Sequence, residues 1–288
     1  MEQRNVKDLQ RLRKIMSGEL FIVGTPIGNL GDLSPRAAQT LESVDFIAAE
    51  DTRVTLKILN HLGLKKPMVS YYEHNKRERG ETICERILAG ESCALVTDAG
   101  MPAISDPGED LAALCHEKGI KINCVPGPVA FASALAISGM PSGRFTFEGF
   151  LSVSNKSRKE HLESIKDEKR TIIFYEAPHK LARTLKDLYE CLGDRKIAIV
   201  RELTKIHEEV IRTDLKEASE KYADGHLKGE MVLIIEGKSE EENEFTLESA
   251  VEMARGFISD GLSTNEAAKA AAKETKIKKS DIYKELSR

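Results

Sequence analysis

Along most of the chain, short runs that are apolar at every position alternate with longer segments whose apolar residues recur at helical spacing. Leu20-Phe21-Ile22-Val23, Phe46-Ile47-Ala48-Ala49 and Ala94-Leu95-Val96 read as strands buried on both faces, and 68–71 and 120–125 as further strands. Helical patterns fall between them, around 35–41, 54–59, 77–88 and 111–117. Strands alternating with helices predict a largely parallel sheet covered on both sides, an α/β fold. After Met140-Pro141-Ser142-Gly143 the pattern changes. Strands are expected at 171–176, 196–201, 209–213 and 231–236, the last two with no crossover helix long enough for parallel pairing, so this sheet is expected to be mixed. A run of acids at 239–244 reads as a solvated spacer, and the remainder as two or three short helices broken near Gly261. The expected organisation is an N-terminal extension (1–18), an α/β domain (19–140), a second α/β domain (141–238) hinged near Pro141, and an acidic linker with a helical module (239–288).

Composition narrows the class. A chain of 288 residues, 41% hydrophobic and 31% charged, is long enough for two cores. A net charge of -4 makes the whole surface no trap for nucleic acid, so an RNA contact needs local basic patches. Lysines toward the end (Lys269, Lys273, Lys276, Lys278, Lys279, Lys284) offer one, or simply a solvated face of a packing module. Five cysteines without C-x-x-C spacing imply reduced thiols and suggest no metal site. The first 18 residues lack the apolar core of a signal peptide, and no stretch approaches the roughly 20 apolar residues that span a bilayer, so a cytoplasmic protein with no membrane partner is expected.

The segment from Thr97 to Gly108 carries the densest chemistry. It follows a buried strand and precedes a helix, which places it at the carboxyl edge of the sheet, where open α/β sheets bind ligands. Asp98 and Asp106 stand there with Gly100 and Gly108, Pro102 and Pro107. The bland reading is an ordinary turn in which Asp106 starts the next helix. The loop after the first strand has glycines at 24, 28 and 31 but Pro26 where a dinucleotide fingerprint needs its second glycine. No Gly-Lys-Ser/Thr follows, so a Walker loop is excluded too. Phosphate-rich cofactors are disfavoured, while a nearly phosphate-free one such as S-adenosylmethionine suits apolar, proline-containing turns. In the loop 125–134, small residues at a helix start would let a planar ligand, or simply the sheet, lie close to the backbone.

Gly24 to Leu30, Glu50-Asp51-Thr52-Arg53, Thr97 to Gly108, Pro126-Gly127-Pro128, Phe174 to Lys180, Arg201-Glu202-Leu203-Thr204-Lys205 and Lys228-Gly229-Glu230 follow one another in this order. In that order the chain resembles the tetrapyrrole-methylase superfamily, and more narrowly its ribosomal RNA small subunit methyltransferase I branch, over roughly 20–237. The Glu-Asp-Thr-Arg and Arg-Glu-Leu-Thr-Lys segments favour the RNA branch. The resemblance implies two α/β domains with the active site and S-adenosylmethionine in the cleft between them, usually in a homodimer. It also implies methylation of the ribose 2′-hydroxyl of a cytidine in small-subunit (16S) ribosomal RNA, free or in the assembled 30S subunit. Carried over by position, the cofactor would meet Pro26, Asp98, Gly100, Met101, Val129 and Ala130, with Ala177 and Met231 closing over it.

Methyl transfer to a hydroxyl needs alignment, exclusion of water and removal of a proton. Asp106, Glu176, His179 and Lys205 are the candidates for handling that proton. Each has a plainer reading: Glu176 could pair with Arg201, and His179 could simply open a helix after Pro178. A lysine serves as a base only if burial or neighbouring cations lower its pKa. For gripping RNA the candidates are Arg53, Tyr72, His74, Asn75 and Arg201, with the basic run at 155–159 more simply a solvated helix start. Two other readings stay open: methylation of a tetrapyrrole or other small molecule, and a non-catalytic RNA-binding assembly factor.

Overall fold

The computed structural model describes residues 18–239, 246–275 and 277–287. The expected N-terminal extension before Gly18, nearly all of the acidic linker and Lys276 lie outside the described residues. By its internal contacts the chain divides into two compact units, one ending at Lys238 and one starting at Ser239.

The first unit holds two lobes. In the first lobe, β1 (Leu20–Val23), β2 (Phe46–Ala49), β3 (Met68–Ser70), β4 (Cys93–Val96) and β5 (Ile122–Val125) form a sheet in the order β3-β2-β4-β1-β5. Every pairing in it is parallel. The strands are apolar throughout because both faces are covered. Phe46, Ala48, Cys93 and Leu95 pack with Ile83, Ile87 and Leu111 on one face. Ile47, Ala49, Ala94 and Val96 pack with Leu41 and Leu59 on the other. The first core is closed by α3 (Lys76–Leu88) and α4 (Glu109–Glu117), the second by α1 (Pro35–Ser43) and α2 (Thr52–Leu62). Neighbouring strands β1 and β4 therefore send their following helices to opposite faces, and a crevice opens at their carboxyl ends.

In the second lobe, β6 (Phe145–Phe150), β7 (Thr171–Glu176), β8 (Lys196–Arg201), β9 (Glu209–Asp214) and β10 (Met231–Ile235) take the order β6-β7-β10-β8-β9. Only β6 and β7 are parallel, so the sheet is mixed. One face is covered by α6 (Asn155–Ser164), α7 (Leu181–Leu192) and α8 (Leu215–Lys221) over a core centred on Phe174, Leu185, Leu188 and Leu233. The other face takes α5 (Ala130–Ser138): Ala134 and Leu135 pack on Ile173, Ala198 and Ile234. Packing hands the chain to the second lobe at the 126–129 turn, a helix earlier than Met140, because the apolar sequence Ala130-Phe131-Ala132-Ser133-Ala134-Leu135 covers the second sheet. Strand β6 was not expected either. It is an edge strand with exposed ends at Phe145 and Phe150, and a register shift between Phe147 and Phe150 breaks its alternation.

The second unit contains α9 (Leu247–Ser259), α10 (Thr264–Thr275) and α11 (Lys279–Leu286), with Gly261 at a left-handed break (φ 99°) between the first two. Its core is largely alanine, with Val251 and Ile282. Among the described residues no helix is long and apolar enough to cross a membrane.

Candidate active site

Three loops at the carboxyl edge of the first sheet are locked together through their backbones. Thr25 and Gly100 exchange N–H···O bonds of 2.8 and 3.1 Å, and the Thr25 hydroxyl donates to the Thr97 carbonyl at 3.2 Å. Gly24 and Gly127 touch backbone to backbone: a Cβ built on Gly24 would lie 2.6 Å from the Gly127 nitrogen. The small residue at 127 thus serves loop-to-loop packing. Gly100 has a left-handed backbone (φ 87°) that its partner Thr25 could not adopt without strain.

These loops form one wall of a cavity of about 430 Å³ between the two lobes. Ile27, Glu50, the stretch Asp98 to Met101, Ile104, Ser105, Asp106, Val129 and Ala130 line it on one side. Tyr175, Glu176, Ala177, Val200, Leu203, Glu230 and Met231 line it on the other. Among the described residues, the non-glycine positions with left-handed backbone are Ala103, Ser105, Glu202 and Thr204. They fall in the two loops that face each other here. Strained backbone held in place by its surroundings gathers at functional sites.

The first-lobe wall is acidic. Glu50 accepts from the Thr97 hydroxyl, and the Asp98 carboxylate accepts from the Asp51 amide at 3.1 Å. Burial, then the nearby Glu50 charge, raises the Asp98 carboxyl above its ordinary range. The same two causes, joined by Asp98, push Asp106 up to about 6. Crowded acids in a half-dry site favour any cation that enters it. Opposite them, Glu176 is 4% exposed; it accepts from the Ala177 amide at 2.8 Å and from the Thr184 hydroxyl. The Tyr175 hydroxyl accepts from the Phe131 amide at 3.1 Å, and burial raises its pKa. Among the described residues no group of acids, histidines or cysteines is arranged to hold a metal ion.

The family model described as Tetrapyrrole (Corrin/Porphyrin) Methylases matches residues 19–219. The chain belongs to the tetrapyrrole methylase family. Within it, the ribosomal RNA small subunit methyltransferase I of a Synechocystis strain is 44% identical over 268 residues, covering 92% of this chain and 96% of that protein. The protein of the same name from Thermotoga maritima is 46% identical over 221 residues, 77% of this chain but 99% of its own. At that identity and coverage the chain belongs to the small subunit methyltransferase I branch. A solved uroporphyrin-III C-methyltransferase from Thermus thermophilus, complexed with S-adenosyl homocysteine, shares the fold at TM-score 0.55 and 15% identity, over 76% of this chain and 97% of that one.

Of the residues the chain was expected to use, Asp98, Gly100, Met101, Asp106, Val129, Ala130, Glu176, Ala177 and Met231 all line the cavity. Pro26 does not: it is buried beneath the rim, and its neighbour Ile27 takes the lining position. His179 is exposed on the 3-10 turn Pro178–Lys180 outside the cavity, leading into α7 as its plainer reading held. Lys205 also lies outside, its ammonium bonded to Glu202 at 3.0 Å and to the cavity-lining Glu230 at 2.9 Å. Burial pulls its pKa down, but the two carboxylates outweigh that and the net shift is upward. That is the reverse of what a lysine base needs. Arg201 pairs with Glu209 at 2.6 Å and not with Glu176. Arg53 is largely exposed yet clasps Asp51 through both its Nε and Nη2, and this pairing draws Asp51 down to about 2. Tyr72 and His74 are exposed and meet edge to face at 6.3 Å. Asn75 is spent within the turn, accepting from the Tyr72 amide and donating to the Ser70 carbonyl. Sequence reasoning missed Glu50, Tyr175, Leu203 and Glu230. Glu50 was within its reach, because Ala49 pairs with Val96 and the next residues share a sheet edge.

Proposed function

We propose that this methyltransferase moves the methyl group of S-adenosylmethionine to the ribose 2′-hydroxyl of a cytidine in small-subunit ribosomal RNA. The observation that carries this reading is the interlobe cavity, walled by Glu50, Asp98 and Asp106 on the first lobe and by apolar groups with Glu176 and Glu230 on the second, in a chain with relatives named for ribosomal RNA methylation. The residues fit the cofactor. Asp98 is an acceptor for an ammonium or ribose hydroxyl, Met101 offers backbone groups, and Gly100, whose own N–H and carbonyl bond to Thr25, presents no side chain. Val129, Ala130, Ala177 and Met231 supply apolar walls. S-adenosylmethionine brings a methyl group on a positively charged sulfur, which the acid wall suits electrostatically.

The chain's own work is then alignment, dryness and handling a proton. Holding two groups at near-attack geometry contributes on the order of 7–11 kcal/mol. A general base adds about 10²–10⁴-fold. Asp106 suits that role better than Glu176, because both Glu176 oxygens already accept hydrogen bonds. With its pKa near 6, Asp106 is ionised at neutral pH and still basic enough to draw a hydroxyl proton. Arg53, Tyr72, His74 and Arg201 lie outside the cavity and are proposed to hold the RNA, with Asn75 shaping the loop between them. A cytoplasmic homodimer acting on free ribosomal RNA or the 30S subunit completes the reading.

The test offers tritiated S-adenosylmethionine with small subunits that lack the modification. Label in an alkali-resistant dinucleotide is expected, since a methylated ribose cannot be cleaved by alkali. Label on a base, on a tetrapyrrole, or nowhere would overturn the proposal.

A further inference from the structure

Glu176 is the inner end of a buried polar chain that runs outward through two helices. It closes β7 opposite Met231 of β10, and both residues line the cavity. Its second carboxylate oxygen accepts from Thr184 on α7, which is 1% exposed. The Thr184 oxygen in turn accepts from Arg158 Nη2 at 2.8 Å, and Arg158, on α6, is 4% exposed. Arg158 Nε donates to Asp187 at 2.6 Å.

The chemistry of these groups fixes the direction of every bond. A guanidinium has no acceptor, so Thr184 must accept from Arg158 and its single hydroxyl proton is committed to Glu176. Arg158 pairs with Asp187, which also faces Arg183 at 3.6 Å, and Glu176 is the carboxylate buried at the cavity wall. A buried carboxylate is costly unless hydrogen bonds support it, and here the Ala177 amide and the Thr184 hydroxyl supply them. Tying α6 and α7 to the sheet needs no charge, since apolar side chains of similar volume do so equally well. Each carboxylate oxygen also keeps an acceptor site beyond the bond it already makes.

We infer that Arg158 and Thr184 are positioning residues. They hold the Glu176 carboxylate in one orientation at the second-lobe wall of the cavity, where it accepts a hydrogen bond from an O–H or N–H donor of the bound ligand. The inference rests on the proposed methyl transfer and adds a residue pair to it that touches neither cofactor nor RNA.

The test compares Thr184→Val, Thr184→Ser and Glu176→Gln in the full chain, using S-adenosylmethionine and unmodified small subunits. Valine keeps the shape of threonine and removes only the hydroxyl. A fall in kcat/KM of about 10- to 100-fold is expected for Thr184→Val, the weight of a hydrogen bond to a charged group. Thr184→Ser, which keeps the hydroxyl, should recover to within about 3-fold of the unaltered chain. Calorimetry with S-adenosylmethionine then separates the sources of the donor. A matching loss of affinity assigns it to the cofactor, and unchanged affinity with altered KM or kcat assigns it to the acceptor ribose. A merely structural role shifts the urea midpoint and leaves turnover of the folded fraction alone, and that result would overturn the inference. If Thr184→Val does not fold, Glu176→Gln decides: cofactor affinity and turnover both within about 2-fold of the unaltered chain sink it. Failure of the unaltered chain to methylate counts against the proposed function, whereas equal behaviour of unaltered and variant chains counts against this inference alone.

Discussion

Asp106 shows how a site residue sets itself against the fold that carries it. Burial and the charges of Glu50 and Asp98 push its pKa up to about 6, from 3.8. The folded state therefore holds this proton more tightly than the unfolded chain does. The stabilisation is complete below about pH 4, drains away as pH rises through 6, and is gone at neutral pH. There the ionised carboxylate weighs against the fold by about 1–3 kcal/mol, with partial exposure favouring the lower end. Asp106→Asn is expected to raise the urea midpoint at pH 8 and to leave it unchanged at pH 4; an equal gain at both would refute the account. The same linkage runs through the ligand. A cation bound beside Asp106 favours its ionised form, so affinity for S-adenosylmethionine should climb between pH 5 and 7. S-adenosylhomocysteine, which lacks the sulfonium charge, should show a shallower climb in the same calorimetric series.

At the scale of elements, the site depends on backbone contacts that leave no room for a methyl group. A Cβ at Gly127 would meet Gly24 backbone atoms at 2.8 Å, and Gly24 is held beside Thr25, which is bridged to Gly100. Gly127→Ala is expected to cost about 1–3 kcal/mol in urea unfolding and to weaken cofactor affinity together with it. Loss of stability with affinity intact would separate the loops from the site. Much of this framework was legible in the chain. Strands buried on both faces, such as Phe46–Ala49 and Lys196–Arg201, leave unbroken or nearly unbroken apolar runs, and the acid- and glycine-rich loop after β4 marks the sheet edge. Strand β6 stayed hidden because an edge strand buries little and Gly149, with φ 62°, interrupts its period. Part of the far wall stayed hidden for another reason, although Glu176, Ala177 and Met231 on it were expected. Tyr175, Leu203 and Glu230 reach the cavity through the register of a mixed sheet and a strained turn, neither of which has a local signature. Lys205 looked like a possible base for the same reason, since its carboxylate partners are 3 and 25 residues away.

At the scale of the molecule, every residue that lines the cavity lies between Ile27 and Val232, inside the first compact unit. The second unit closes on its own core, and that core is thin: Ala250, Ala254, Ala267, Ala268 and Ala271 with Val251 and Ile282, flanked by partly buried Phe257, Ile258, Ile277 and Leu286. So small a module has little apolar area to lose, and Ile282 is fully buried at its centre. Truncating it removes about 2–5 kcal/mol, which is comparable with everything such a module can hold. Ile282→Ala is therefore expected to speed hydrogen exchange across 246–287 to nearly unfolded rates and to leave exchange in β1, β4, β7 and β10 as it was. Cofactor affinity should be unchanged in the same preparation, because none of the groups that would meet the cofactor belongs to these helices. Accelerated exchange in the central strands, or a weakened cofactor, would mean that the helical unit supports the catalytic body. The division of the chain into a binding cavity and an autonomous attachment would then be wrong.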